Sequence, residues 1–359
     1  MGQAPSLTRH RRFNIVSLIK QIRLKGNAVK LISFHWKDRD RIGFAISGDR
    51  FADLGEIADA MGHTPYADMI ALIEAGEAGL AFLREAQTFM RERPGRVNAI
   101  DAKALVFHPP VRRPSKICGV ALNNSASNER KISAPDHPLF FLKPASSLVG
   151  HGQPIEVYDY YGSVHPEPEL AVIIGKHCRH VQAKDALDVV YGYSIMNDMT
   201  GNFMRSQDMV HYYALYPSKD NPNVVERREQ HLSYTARYKG SDTFGPFGPY
   251  LVTKDDIPDP HALDVMCWHK DELIAEDSTR YYTYSVPDVI AYITRYHSLW
   301  PGDVISMGTA FRPGKTGRRS LHTANITAFG GPVSVSISGL GTLANPVKRM
   351  DEVEARAAE

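Results

Sequence analysis

In the stretch SVHPEPELAVIIGK, residues 163–176, two carboxylates, Glu167 and Glu169, sit one residue apart at the mouth of a run that reads as a buried strand. Side chains alternate across a strand, so both should share one face, followed on it by Ala171 and Ile173. Two like charges held roughly 7 Å apart and partly out of water repel each other and lose hydration. Further on, in YGYSIMNDMTG, Asp198 follows a second strand-like run and precedes Thr200 and Gly201, which predicts a strand end or turn. If the two strands are neighbours, three carboxylates converge. Three oxygen ligands with open positions suit a hard divalent cation, Mg²⁺ or alternatively Mn²⁺ or Ca²⁺, whereas zinc favours His or Cys. The ion's charge would relieve the repulsion. A plainer reading stays open: a Glu pair on an exposed strand face, and an aspartate that only caps its turn.

The elements that must position these groups read as follows. The run KLISFHWKDRDRIGFAISGDRFADL predicts a small β-hairpin or meander, and residues 68–93 have the apolar spacing of one or two amphipathic helices. HPPVRRPSK, residues 108–116, reads as a linker. After it come short β-branched or aromatic runs: KICGVAL, LFFLKP, ELAVIIG, YGYSIMN, PYLVT, LDVMCWH and DVISMGTA. Two helices interrupt them, one at 183–190 and one in SVPDVIAYITRYHS, with Ser285 as N-cap and Pro287 in the first turn. This lacks the βαβ alternation of a doubly wound fold, so the expected class is α+β, mostly β. The expected divisions are 1–28 as a basic extension, 29–112 as a small N-terminal α+β domain, 113–345 as the catalytic domain and 346–359 as a charged tail. The extension fails as a secretory signal and reads as an amphipathic targeting segment or, ahead of that, as upstream sequence.

A chain of 359 residues, 43% hydrophobic and 23% charged, has the composition of an ordinary soluble protein. Its formal net charge of +2 gives no reason to expect nucleic acid or a membrane surface as partner. Cys118, Cys178 and Cys267 form no CxxC pair, which fits a reducing, cytoplasmic setting.

Four motifs in order, PEPELAVIIGK, DALDVVYGYSIMNDMT, YKGSDTFGPFGPYLVT and VIAYITRYHSLWPGDVISMGTA, resemble the fumarylacetoacetate hydrolase family, with FFLKPASSLVGHG as a further match. The resemblance implies a mixed β-roll catalytic domain, a divalent metal on Glu167, Glu169 and Asp198, a homodimer, and a small-molecule keto acid substrate. It implies a hydrolase cleaving a carbon–carbon bond in a 2-oxo acid or 1,3-dicarbonyl compound. Alternatives are a decarboxylase, isomerase or hydratase on the same metal, or an impaired binding protein. Lys239 matches the family's active-site lysine, and Thr309, after Gly308, matches the position that meets a substrate carboxylate. Lys143 and Ser146 lie on a matching segment in a supporting role.

The pattern also departs from the family. Hydrolytic members carry a His followed three residues later by Glu, which deprotonates the attacking water. Here GVALNNSASNERK keeps Asn123 but has Ser127 at the His position and Arg130 at the Glu position, with Glu129 adjacent. Glu129 could serve as base, His137 or His211 could fold in, or the reaction could need no activated water. After Asp198 the usual run is replaced by TGNFMRSQD, and a longer aromatic and charged segment follows. That segment reads as a specificity insert touching substrate through Arg205, Tyr212 or Tyr213, or as a dimer-contact excursion.

Overall fold

The computed structural model describes residues 28–312 and 320–350; the N-terminal extension and most of the C-terminal tail lie outside the described residues. The N-terminal meander forms as expected, with strands Lys30–Trp36, Arg39–Ser47 and Arg50–Asp53. Its first turn is two residues long, with Lys37 and Asp38 at φ 49 and 58, the left-handed pair that a tight hairpin requires. Asp53 caps the helix Leu54–Met61 by accepting from Gly55 N and Glu56 N. The amphipathic run after it makes two helices, Met69–Glu74 and Gly76–Glu92.

A large sheet carries the molecule. Its order runs Ile100–Asp101, Arg50–Asp53, Arg39–Ser47, Lys30–Trp36, Gly245–Thr253, Val190–Asn197, Pro168–Ile174, Val304–Ser306, Ile117–Ala121 and Leu139–Lys143. The N-terminal meander thus joins the rest through the pairing of Lys30 with Val252 and Leu31 with Leu251. A second sheet of four strands, Glu272–Ser278, Asp264–His269, Val333–Ile337 and Gly341–Asn345, accompanies it.

The central strand Pro168–Ile174 is buried at every residue, because both faces of the sheet are covered. Leu170, Val172 and Ile174 join one core with Cys267, Val335 and Ile337 of the second sheet and with Ile290 of the helix Val286–Thr294. Ala171 and Ile173 join another core with Leu31, Phe44, Leu72 and Leu83 of the N-terminal segment. The Val286–Thr294 helix starts as the sequence predicts, with Ser285 and Asp288 forming a reciprocal capping box.

Three segments differ from their expected form. Residues 183–189 form a 3₁₀ run rather than an α-helix. The expected linker at 108–116 is packed down: Pro109, Pro110, Val111 and Pro114 are buried, and Ser33 Oγ donates to Pro110 O at 2.7 Å. The insert after Asp198 is an ordered hairpin, Met209–Pro217 against Val225–Ser233, paired along its whole length and solvent-exposed for most of it. Cross-strand pairing sets its register, a signal that single-strand periodicity does not carry. Among the described residues, no helix is long and apolar enough to cross a membrane.

Candidate metal and active site

The strands holding the carboxylates are neighbours. Pro168–Ile174 runs antiparallel to Val190–Asn197, with Pro168 opposite Asn197 and Glu169 opposite Met196. The pairing continues past the strand ends, where Asp198 N donates to Glu167 O at 2.9 Å and Glu167 N to Asn197 Oδ1 at 3.0 Å. Each of Glu167, Glu169 and Asp198 offers a carboxylate oxygen, and these three oxygens lie within 4.8 Å of one another. Glu169 and Asp198 are each 2% exposed, while the Glu167 side chain is 17% exposed. The cluster therefore opens to solvent on the Glu167 side.

Two lysines flank it. Lys239, on the short helix Ala236–Gly240, puts its ammonium 2.9 Å from Glu167 Oε2 and 2.5 Å from Asp198 Oδ2. Lys143, the last residue of the strand Leu139–Lys143, donates to Asp198 Oδ1 at 2.8 Å and to the carbonyl of Lys239. Burial pulls the Lys239 ammonium towards neutrality, but the Asp198 and Glu167 carboxylates outweigh it and hold it protonated beyond its usual range. For Lys143, enclosed against a single hydrogen-bonded carboxylate, burial prevails and its pKa falls. At Glu167 burial raises the carboxyl, yet Lys239 and the imidazole of His165, 3.2 Å from Oε1, bring it below the usual range.

Glu169 has no cation against it. Its Oε2 accepts from Ser306 Oγ at 2.5 Å and from Gly308 N at 3.0 Å. Burial and the neighbouring charge of Asp198 push its carboxyl up to about 8. An all-oxygen trio in which one buried carboxylate lacks a countercharge fits a hard divalent cation, with the three carboxylates as its ligands. The Gly308 backbone that helps hold Glu169 is at φ +95, and a Cβ there would come within 2.9 Å of Asn123 Cβ. Only glycine suits that close approach.

The remaining predicted residues separate into those near the cluster and those away from it. Asn123 is buried and spends its amide on backbone: it accepts from Tyr284 N and donates to Tyr284 O and Met307 O, which anchors the loop before Gly308. The Thr309 hydroxyl donates to Ala310 O, and its carbonyl accepts from Asn124 Nδ2. Ser127 is buried, and its Oγ accepts from Arg130 Nη2 at 3.4 Å. Both belong to a 3₁₀ turn, 125–130, whose threefold repeat stacks residues three apart on one side. Glu129 is off that side: it is exposed and makes none of the contacts at the cluster. His137 stacks on Tyr292 at 4.9 Å and is bonded to its hydroxyl, and His211 stacks on His231 at 4.0 Å and is bonded to Glu229. Tyr212 is out on the hairpin, bonded to Gln230.

Sequence reasoning passed over a second layer of residues. Lys143, read as a supporting group from its place on the matching segment FFLKPASSLVGHG, touches Asp198 directly. His165, the last residue of the short strand Val164–His165, stands two residues before Glu167, and its Nδ1 is buried with no hydrogen-bond partner among the described residues. Its ring meets that of His322 at 5.1 Å. His322 in turn contacts Phe311 at 5.5 Å, and the Arg130 guanidinium lies 3.9 Å over the Phe311 ring. Burial lowers the His322 pKa, His165, Arg130 and Arg205 push the same way, and Glu167 opposes them. No signal local in sequence links these residues.

A sequence profile described as fumarylacetoacetate (FAA) hydrolase C-terminal matches residues 116–348. The chain belongs to the fumarylacetoacetate hydrolase family. Within this family, it is 30% identical over 242 residues to a mitochondrial oxaloacetate tautomerase of Homo sapiens, spanning 67% of this chain and 68% of that one. It is 28% identical over 325 residues to a mitochondrial oxaloacetate tautomerase of Xenopus laevis, spanning 89% and 90%. Among solved structures, it resembles a maleylpyruvate hydrolase from Sphingobium sp. SYK-6 in complex with manganese(II) and pyruvate, with a TM-score of 0.63 and 29% identity over 90% of this chain and all of that one. Proteins of the fumarylacetoacetate hydrolase family are enzymes, hydrolases, isomerases and tautomerases among them, and the mostly β fold here is theirs.

Proposed function

We propose that this protein is a divalent-metal-dependent enzyme acting on a 2-oxo acid or 1,3-dicarbonyl compound through an enolate, with hydrolysis of a carbon–carbon bond as the net reaction. The observation that carries the proposal is the trio Glu167, Glu169 and Asp198 with Lys239 against two of them. Mg²⁺ or Mn²⁺ on that trio supplies Lewis-acid polarisation of a keto oxygen. Lys239, fixed by its ion pairs, offers an ammonium to oxygen on which negative charge develops. Lys143 holds Asp198 and the Lys239 backbone in place. Gly308 and Ser306 fix Glu169. The half-open side at Glu167 admits substrate, and the buried His165 imidazole holds Glu167 Oε1 from behind.

Arg130 and Arg205 are exposed near His322 and make no ion pair among the described residues, so the substrate's far end is read as a second carboxylate. Cytoplasmic placement and a homodimer stand as parts of the same proposal, the first supported by three free, buried cysteines.

A second reading, keto–enol tautomerisation, is favoured by Ser127. A buried serine bonded to an arginine cannot deprotonate water as an imidazole–carboxylate pair does, and tautomerisation needs no water. One assay separates the two: acylpyruvates and oxaloacetate, with Mg²⁺ or Mn²⁺, monitored for enol absorbance, free acid and CO₂. One acid released per pyruvate supports hydrolysis; decay of the enol without acid or CO₂ supports the tautomerase. No metal-dependent change with any of these substrates rejects the proposal.

A further inference from the structure

A second set of ligand-type side chains meets on the N-terminal part of the large sheet. His35, on the strand Lys30–Trp36, is the cross-strand partner of Asp40 on Arg39–Ser47. His108, ending the strand Val106–His108, pairs with Ser33 on the opposite side of the same central strand. Residues two apart on a strand and their direct cross-strand partners share a face, so Ser33, His35, Asp40 and His108 all point one way. Ser33 is small and turns its hydroxyl to Pro110 O, which lets His108 and Asp40 reach across it. Both imidazoles converge on one oxygen: His35 Nδ1 is 3.0 Å and His108 Nε2 2.9 Å from Asp40 Oδ1.

We infer that His35, Asp40 and His108 form a second metal site, separate from the carboxylate cluster, for a divalent late transition ion of which Zn²⁺ is the type. Their three ligand atoms lie within 4.8 Å of one another. Two imidazole nitrogens with one carboxylate oxygen suit zinc, nickel or copper rather than magnesium, opposite to the all-oxygen cluster. Arg112 binds the other oxygen, Asp40 Oδ2, so it orients the carboxylate with Oδ1 towards the histidines, as outer partners of metal ligands do. Asp68 lines the same cleft of ≈ 280 Å³ as Asp40, Arg112 and Arg113, and adds negative charge beside the two arginines. The His35 side chain is 42% exposed, leaving solvent access for a water as fourth ligand. An ion here would tie the first hairpin to the strand that leads into the packed 109–116 segment.

The test is a Zn²⁺ titration of the full chain in excess Mg²⁺, followed by calorimetry and thermal unfolding. The expected result is one Zn²⁺ bound per chain and a raised unfolding midpoint. Glu169→Gln retains this event, whereas His35→Gln and His108→Gln each weaken it about tenfold or more, with circular dichroism unchanged. Should both histidine variants bind Zn²⁺ like the unaltered protein, or should the only Zn²⁺ event vanish in Glu169→Gln, the inference is overturned. It is overturned equally if the unaltered protein binds no Zn²⁺ under these conditions.

Discussion

At the scale of single residues, the carboxylate trio is unequal. Glu167 and Asp198 have ammonium partners, whereas Glu169 has only a hydroxyl and a backbone N–H. Glu169→Gln therefore removes a metal ligand and puts a neutral amide of the same shape where, without metal, burial and Asp198 already hold the carboxyl largely protonated near neutral pH. Metal-dependent turnover should disappear while the metal-free unfolding midpoint holds or rises, and scanning fluorimetry beside an activity assay checks both. Ser306→Ala removes one hydrogen bond to that ligand and should weaken metal binding by about 10- to 100-fold, readable by calorimetry with Mn²⁺. Lys143 behaves oppositely. Its side chain is 1% exposed, and Lys143→Met leaves Asp198 with one counter-ion fewer in the interior. Asp198 keeps Lys239, so the loss is that of a buried acceptor left without its donor, about 1–3 kcal/mol, and urea unfolding should report a loss of that order.

At the scale of elements, the site depends on where backbone ends rather than on what strands contain. Pro168–Ile174 and Val190–Asn197 stop beside each other, and the first carboxylate and the aspartate stand just beyond those ends. The loop after Val304–Ser306 then closes over Glu169 through Gly308. Gly308→Ala places a Cβ 2.9 Å from Asn123 Cβ and forces a side chain onto a left-handed backbone. It should cost about 1–3 kcal/mol and weaken Mn²⁺ binding as well. A variant that loses stability but keeps metal affinity would show that the loop shapes the fold without holding Glu169.

At the scale of the whole molecule, the N-terminal segment and the site share one strand. Ala171 and Ile173 pack into the N-terminal core while Glu169 belongs to the cluster on the same strand face. Removing residues 29–112 should uncover that apolar face, with Met196, Phe247 and Val304, and yield an aggregating, inactive chain by light scattering. A soluble, active truncation would instead establish residues 113–345 as self-sufficient. The cysteines report on the other core, where they pack with Leu170, Val172 and Ile174. Burial pushes the thiols of Cys118 and Cys178 up to about 12 and about 11, and that of Cys267 higher still. Thiolate is the reactive form, so Ellman's reagent at pH 8 should find no fast thiol until the protein is unfolded.

Seven of the strands after residue 116, the capped Val286–Thr294 helix, the paired glutamates and the aspartate were legible along the chain, because short β-branched or aromatic runs, caps and a charge inside an apolar run are local signals. The order of motifs carried the family as well. The tertiary structure alone decided that Lys143 touches Asp198, that Glu129 is exposed, that His165 and His322 meet, and that His35, Asp40 and His108 converge. Each of these depends on which strands become neighbours and in what register, and that is set by competition among distant surfaces for burial. A linear pattern records which face of an element is apolar, but not which other element covers it.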